Sequence, residues 1–361
     1  MVKNHAVHPK EQSMTTPTIE TIPDIRAAVL KAPEQFGTQR LRRPEAGPGE
    51  VLVRVSFTGI CGSDFPIVSG THPRATLPLV MGHEITGTIE NPGDSGLTEG
   101  ATVAVNPLLP CDTCGACRKE LWHVCRNLRL LGIDTPGSMA ELIAVPAANV
   151  IPFSENVPAK EAALAEPLAV AVHAIRRARL AAGERVLIFG AGPIGILVAL
   201  AARHAGAADV TVVEPSERRR EVVEALGLRA LGPSDVPVAK EHGETATDVV
   251  FDCAGHHSVT PLLTKVAPVR GRIVIVAVHH GSAEVDLREL AFAEQEILGV
   301  RVYESADFAE SVRLISHHEL PLAGIPISEY PLESVEEAFA EARSGTGAVK
   351  ILVRSLPQPL H

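Results

Sequence analysis

Two rhythms of apolar and polar residues divide this chain. Up to about residue 150 the apolar positions come in short β-forming runs, often broken by Pro and Gly. Ile25 to Thr58 reads as strand, and Val51-Leu52-Val53-Arg54-Val55-Ser56-Phe57 follows the turn pair Pro48-Gly49. Leu77 to Ile89 and Ala101 to Asn106 predict further short strands. Ala169 to Leu180 is an apolar-rich helical segment. At Arg185 the rhythm changes. Val186-Leu187-Ile188-Phe189 is a continuous apolar run of the buried, parallel kind. A helical run from Ile196 to Gly206 and a strand from Asp209 to Val213 follow. Ser216 to Gly227 predicts a helix capped by Ser216 and stopped by Gly227. Strand Asp248 to Asp252, helix Val259 to Val266, strand Arg272 to Ala277 and strand Glu296 to Val300 continue the alternation, which predicts a doubly wound parallel sheet. From Tyr303 the character is mixed again: helix Asp307 to Ser316, the Pro-rich Leu320 to Tyr330, helix Ser334 to Arg343 and strand Lys350 to Val353. The expected organisation is therefore α/β. A doubly wound domain at 171–302 is inserted into a β-rich domain made of 25–170 and 303–361, behind a polar tail at 1–24.

A length of 361 residues suits about two domains. Aromatic residues are only 3%, so Val, Ile, Leu and Ala must fill the cores. The net charge of -10 argues against nucleic acid as a partner, because phosphate binding needs a basic face. No apolar run reaches the ~18 residues of a membrane span. The first 24 residues lack the apolar middle of a signal peptide. These features predict a cytoplasmic chain with a small-molecule partner. Of the six cysteines, Cys111, Cys114, Cys117 and Cys125 fall within fifteen residues, and such clustering points to a metal more than to disulfides.

The candidate chemistry sits in five stretches. Gly59-Ile60-Cys61-Gly62-Ser63-Asp64 and Gly82-His83-Glu84 offer a thiolate, an imidazole and a carboxylate, the donor types of a zinc site with one open position. The four-cysteine loop has the spacing C-x2-C-x2-C-x7-C, which can close a tetrahedron without water and so predicts a structural zinc. A disulfide pair or an iron–sulfur cluster are the competing readings. Glu166, within Ala165-Glu166-Pro167-Leu168, is either an acid favoured by a helix N-terminus or a further partner of the first metal. Lastly, Gly190-Ala191-Gly192-Pro193-Ile194-Gly195 stands between strand and helix, and Glu214 ends the next strand. That order is the dinucleotide-binding pattern, with the acid placed for the ribose of NAD.

Together these stretches resemble the zinc-containing medium-chain dehydrogenases of the alcohol dehydrogenase family, in particular the polyol branch of sorbitol, butanediol and threonine dehydrogenases. The resemblance runs from about Arg26 to Val353 and includes the segment Gly299 to Phe308. It implies a GroES-like catalytic domain beside a Rossmann domain, with NAD and two zinc ions, one catalytic and one structural. The implied reaction exchanges a hydride between NAD and a secondary alcohol: a polyol, sugar alcohol, cyclitol or vicinal diol, or the matching ketone. Cys61, His83 and one or both of Glu84 and Glu166 are the implied ligands of the catalytic zinc. Asp64 is implied to orient His83, and Ser63 to take the alcohol's proton. Ile67, Glu166 and Tyr303 are implied to line the substrate. Gly190, Gly192, Pro193, Ile194, Gly195, Glu214 and Arg219 are implied to hold NAD. The run Arg218 to Arg220 is otherwise a solvated helix face.

Some positions depart from the pattern. Pro66 and Ile67 stand where sorbitol-type enzymes carry a His and an aromatic, and Val302 where they carry Arg. Proton exit then falls to Ser63 with the cofactor ribose or water, or to another histidine such as His72. The family forms homodimers or homotetramers through strand edges, here Ile297 to Tyr303. Two readings from other classes compete: a silent NAD-binding sensor, and a zinc-independent quinone or enoyl reductase. The complete donor set and the four-cysteine loop speak against both.

Overall fold

The apolar run before Gly190 becomes the strand Arg185–Phe189, at the centre of a six-stranded, all-parallel sheet. In a computed structural model the described residues are 24–154, 156–237, 247–279 and 281–356; the tail expected at 1–24 lies outside them apart from Asp24. The sheet order is Arg229–Leu231, Asp209–Val213, Arg185–Phe189, Val249–Asp252, Arg272–Ile275, Glu296–Gly299. The direction of winding reverses between Arg185–Phe189 and Val249–Asp252, which run in register from Val186↔Val249 to Phe189↔Asp252. At such a switch point the loops beyond the carboxyl ends part and leave a crevice. The helices Ala165–Ala178, Pro193–His204 and Ser305–Ser316 share one buried cluster that includes Ala169, Ala174, Leu197, Leu200, Phe308 and Val312. Truncating Leu200 there would cost about 2–5 kcal/mol.

The β-rich part is built on the strand Glu50–Gly59. It pairs with Glu84–Asn91 on one side and Lys350–Arg354 on the other, and also with Leu142–Pro146. The C-terminal strand thus completes a sheet begun near the N-terminus, which reads Val150–Pro152, Thr102–Val105, Glu84–Asn91, Glu50–Gly59, Lys350–Arg354, Ile327–Pro331. A smaller sheet, Gln35–Leu41, Ile25–Ala32, Leu79–Val80, lies alongside. The result is a GroES-like β domain and a Rossmann-like α/β domain.

Several expected elements shift. The strand expected from Leu77 to Ile89 is two, Leu79–Val80 and Glu84–Asn91, because Met81 to His83 leave the ladder. The helix expected at Ala169 begins at Ala165 instead, which brings Glu166 into its first turn. The Pro-rich Leu320 to Tyr330 contains part of a strand, Ile327–Pro331, paired in parallel with Lys350–Arg354. Ser216 does stand at the N-cap of helix Glu217–Ala225, but its side chain caps nothing. Its backbone N–H is taken up by Glu214 Oε1 at 3.0 Å.

Candidate metal centre and cofactor cleft

Chain geometry at the end of Glu50–Gly59 sets the first donor. Asp64 N donates to Cys61 O at 3.1 Å and Cys61 N donates back to Asp64 Oδ2 at 2.9 Å, so Cys61 and Asp64 share one tight turn. Asp64 then opens the short helix Asp64–Val68 and is fully buried. His83 and Glu84 enter from the start of the neighbouring strand Glu84–Asn91, both buried. The donor atoms of Cys61, His83 and Glu84 all lie within 4.8 Å of one another. His83 Nδ1 stands 3.4 Å from Asp64 Oδ1, which leaves Nε2 as its donor atom, and Ser63 Oγ sits 3.3 Å from Nε2. Ser63 is exposed.

Electrostatics here favour a cation. Burial opposes charge on His83, but Asp64 and then Cys61 outweigh it and hold the ring protonated well above the usual histidine range. Lys350 is buried, yet Glu84 and then Cys61 raise its pKa against that burial. A divalent ion among the same groups would satisfy the charge that a proton on His83 otherwise answers. Thiolate, imidazole and carboxylate are donors that zinc accepts. The three residues therefore fit a zinc ion.

Glu166 stands outside this donor group but close to it. It is buried, and burial, then repulsion from Glu84, pushes its carboxyl up to about 7. Its place in the first turn of Ala165–Ala178 satisfies the helix-dipole reading, and its neighbours satisfy the other. Tyr303 is fully buried, and its hydroxyl faces Glu166 without a regular hydrogen bond. Val302, just before it, has φ of +40°, a conformation that costs a β-branched residue about 1–3 kcal/mol. Ile67 packs inside the apolar cluster with Ile60, Val68 and Met81 and is 1% exposed. His72 is spent on its own loop: Nδ1 accepts N–H from Ala75 at 3.0 Å and Arg74 at 3.3 Å. The carbonyl of Pro66 accepts N–H from Thr71 and His72, at 2.8 and 2.9 Å.

The four thiols of Cys111, Cys114, Cys117 and Cys125 also gather within 4.8 Å. Their recorded Sγ separations run from 3.4 Å for Cys111 to Cys125 up to 3.9 Å for Cys114 to Cys125. A disulfide needs ~2.05 Å, so that reading is excluded. Backbone N–H groups point at the sulfurs, and the N–H and hydroxyl of Thr113 hold the Cys111 thiol down at about 5. Four thiolates with no other titratable group among them make a closed site.

At the switch point, Gly192 caps helix Pro193–His204, with Pro193 at its first turn and Ile194 and Gly195 following. A Cβ on Gly195 would fall 1.9 Å from Gly190 O, so only glycine lets helix and strand approach this closely. Glu214 is buried and bridges the two loops, accepting from Ala191 N at 2.8 Å and Ser216 N at 3.0 Å. Gly190, Gly192, Glu214, Arg219, Cys253 and His256 border a cavity of about 460 Å³. Of the arginine run only Arg219 faces it. Arg220 donates to Glu214 O and Pro215 O, both at 2.8 Å, and Arg218 donates to Thr346 O, so the run is not simply a solvated face.

Sequence reasoning missed Lys350, treated only as the start of a strand. It is 2% exposed and forms an ion pair with Glu84 Oε2. A lysine set directly before Ile351-Leu352-Val353 in a strand was the available signal. It also missed the buried pair His173 Nδ1 and Asp307 Oδ2, 2.7 Å apart, which ties helix Ala165–Ala178 to helix Ser305–Ser316.

Residues 47–155 match the alcohol dehydrogenase GroES-like domain family, and residues 193–317 the zinc-binding dehydrogenase family. The chain is 40% identical to 2-dehydro-3-deoxy-L-galactonate 5-dehydrogenase of Pseudoalteromonas atlantica, over 86% of this chain and 92% of that protein. It is 32% identical to L-threonine 3-dehydrogenase of Pyrococcus furiosus, over 91% and 98%. Its fold is similar to the crystal structure of L-idonate 5-dehydrogenase from Escherichia coli, with a TM-score of 0.83 at 28% identity, covering 92% of this chain and 98% of that one.

Proposed function

This chain belongs to the zinc-type alcohol dehydrogenase family as an NAD-dependent dehydrogenase of hydroxyl substrates, and we propose that it oxidises a secondary hydroxyl of a polyhydroxylated chain, a sugar acid or polyol. The observation that carries this reading is the group Cys61, His83 and Glu84, donors within 4.8 Å of one another, with the Ser63 hydroxyl 3.3 Å from His83 Nε2. Cys61, His83 and Glu84 would hold the ion, with Glu166 behind them. Bound zinc supplies a Lewis acid for the substrate oxygen, and bound NAD the hydride acceptor. Asp64 fixes the ring of His83 and its Nε2 donor. Ser63 Oγ receives the proton of the substrate hydroxyl and, being exposed, passes it outward. Glu166 is placed to meet a substrate hydroxyl, with the buried Tyr303 hydroxyl behind it. Glu214 accepts from ribose hydroxyls and repels a 2′-phosphate, so NAD is preferred over NADP.

The sugar-acid reading draws on two relatives that act at the 5-position of such acids. The edge strand Glu296–Gly299, with Ile297 40% exposed, supports a homodimer or homotetramer joined along that edge. The test is NADH formation by zinc-loaded protein over a panel of sugar acids, sugar alcohols, diols, cyclitols and L-threonine, with NADP in parallel. Turnover is expected first on sugar acids or sugar alcohols. Silence on every secondary alcohol with both metals and NAD bound would sink the reading, and a higher kcat/KM with NADP would sink the role given to Glu214.

A further inference from the structure

We propose that Lys350 is a positioning residue that holds Glu84 by one carboxylate oxygen and so sets how Glu84 serves the metal centre. This rests on the zinc reading above. Three adjacent strands make the arrangement. Gly59 pairs with Leu352 on one side and with Glu84 on the other, so the side chains of Lys350 and Glu84 meet across a glycine. A Cβ at Gly59 would fall 1.8 Å from Glu84 Oε2 and 2.9 Å from Lys350 Cε. The glycine therefore makes room for this pair.

Lys350 is 2% exposed. Its Nζ donates to Ile60 O at 2.9 Å and pairs with Glu84 Oε2. Ile60 directly precedes Cys61, so a single ammonium ties together the two segments that carry Cys61 and Glu84. A buried charge is costly unless it is paired and hydrogen-bonded, and both conditions are met here by the metal-donor region itself. With Oε2 committed to Lys350, Oε1 is left as the donor oxygen. Lys350 also places a positive charge amid Cys61, Glu84 and Glu166, which limits how far those anions dampen a Lewis acid in their midst. Without it, Glu84 is free to turn and to offer both oxygens.

The test uses the full chain with zinc at the four cysteines and Co(II) at Cys61, His83 and Glu84, whose visible bands report coordination number. Lys350→Gln and Lys350→Arg are compared with wild type for those bands, for loss of Co(II) to a chelator, and for kcat and NAD affinity. The Gln variant is expected to shift the bands, to hold Co(II) about 10-fold less tightly and to lose about 10-fold in kcat, with NAD affinity unchanged. The Arg variant, which keeps a cation and its donors, is expected to restore the bands. If the Gln variant does not fold, Gly59→Ala, which displaces the Glu84 carboxylate, must give the band shift. Wild-type bands and metal retention in Lys350→Gln, with the loss confined to NAD affinity or melting temperature, would overturn the proposal. A wild-type chain that takes up metal only at the four cysteines would instead fail the zinc reading itself.

Discussion

Cys111, Cys114, Cys117 and Cys125 come from one loop, whereas Cys61, His83 and Glu84 come from the ends of two strands and lean on a third through Lys350. The loop site is satisfied locally. Its sulfurs face each other, nearby backbone N–H groups and the Thr113 hydroxyl, all within the same loop. The other site is surrounded by groups in tension: Asp64 on His83, Lys350 on Glu84, and Glu166 repelled by Glu84. A donor set with a position left open suits chemistry, and a closed, locally satisfied one suits a staple. The same metal can therefore serve two purposes in one chain.

The sharpest break would come from exchanging the consequences. Cys61→Ala is expected to lower turnover by at least about 1,000-fold, since several kcal/mol of Lewis-acid stabilisation is lost. Its melting temperature and NAD affinity should stay near wild type. Cys114→Ala is expected to do the reverse: one metal fewer per chain, several kcal/mol of stability lost, and near-normal kcat in the fraction still folded. Calorimetry beside steady-state kinetics separates the two. Equal loss of stability in both variants would erase the distinction.

A subtler pair tests the supports rather than the donors. Asp64→Asn removes the charge that holds His83 in place, and a loss of about 10–100-fold in metal affinity or activity is expected. Thr113→Ala removes one of several donors to Cys111, and stability should fall by no more than about 1 kcal/mol. Metal titration of the two variants gives the comparison, and a larger effect at Thr113 would contradict it.

The legibility of each region in the sequence follows the same divide. The cysteine loop is readable because its four donors are close in the chain and their spacing alone brings them together. The strand Arg185–Phe189, helix Pro193–His204 and strand Asp209–Val213 are readable for the same reason, since local period and glycine chemistry determine them. Cys61, His83 and Glu84 are legible as zinc-type donors, but that they converge is legible only through a motif resemblance, because the pairing of Gly59 with Glu84 is invisible in the chain. Lys350 is legible only as a lysine at the head of an apolar strand, and its role is not. Its partner is reached by the register of a strand from the other end of the molecule, and no local pattern encodes register across such a distance. Ser216 shows the limit at small scale. A serine at a helix start predicts a side-chain cap, but the Ser216 side chain caps nothing, and only its backbone N–H is engaged, by Glu214 Oε1.

The smallest expected effect lies away from both donor groups and calibrates the others. Arg185 donates to Asp248 from Nε at 3.0 Å and from its backbone N–H at 2.8 Å, at the entrance to the strands Arg185–Phe189 and Val249–Asp252. The Arg185 side-chain hydrogen bond holds the Asp248 carboxyl below its ordinary value, against a raising effect of burial. A depressed folded-state pKa means that the unfolded chain takes up a proton first as the solution is acidified. The stabilisation is therefore complete above the ordinary Asp value of 3.8 and is lost as pH falls through the lower folded-state value. Both side chains are a third or more exposed, at 43% and 33%, so solvent screening limits the gain to below about 1 kcal/mol. Asp248→Asn should thus lower the melting temperature slightly at neutral pH, and the difference from wild type should shrink in acid. Neither metal content nor kcat should change. A shift in either would mean that the cofactor sheet communicates with the donor sites, and the effects assigned above to Cys61 and Cys114 could then no longer be read separately.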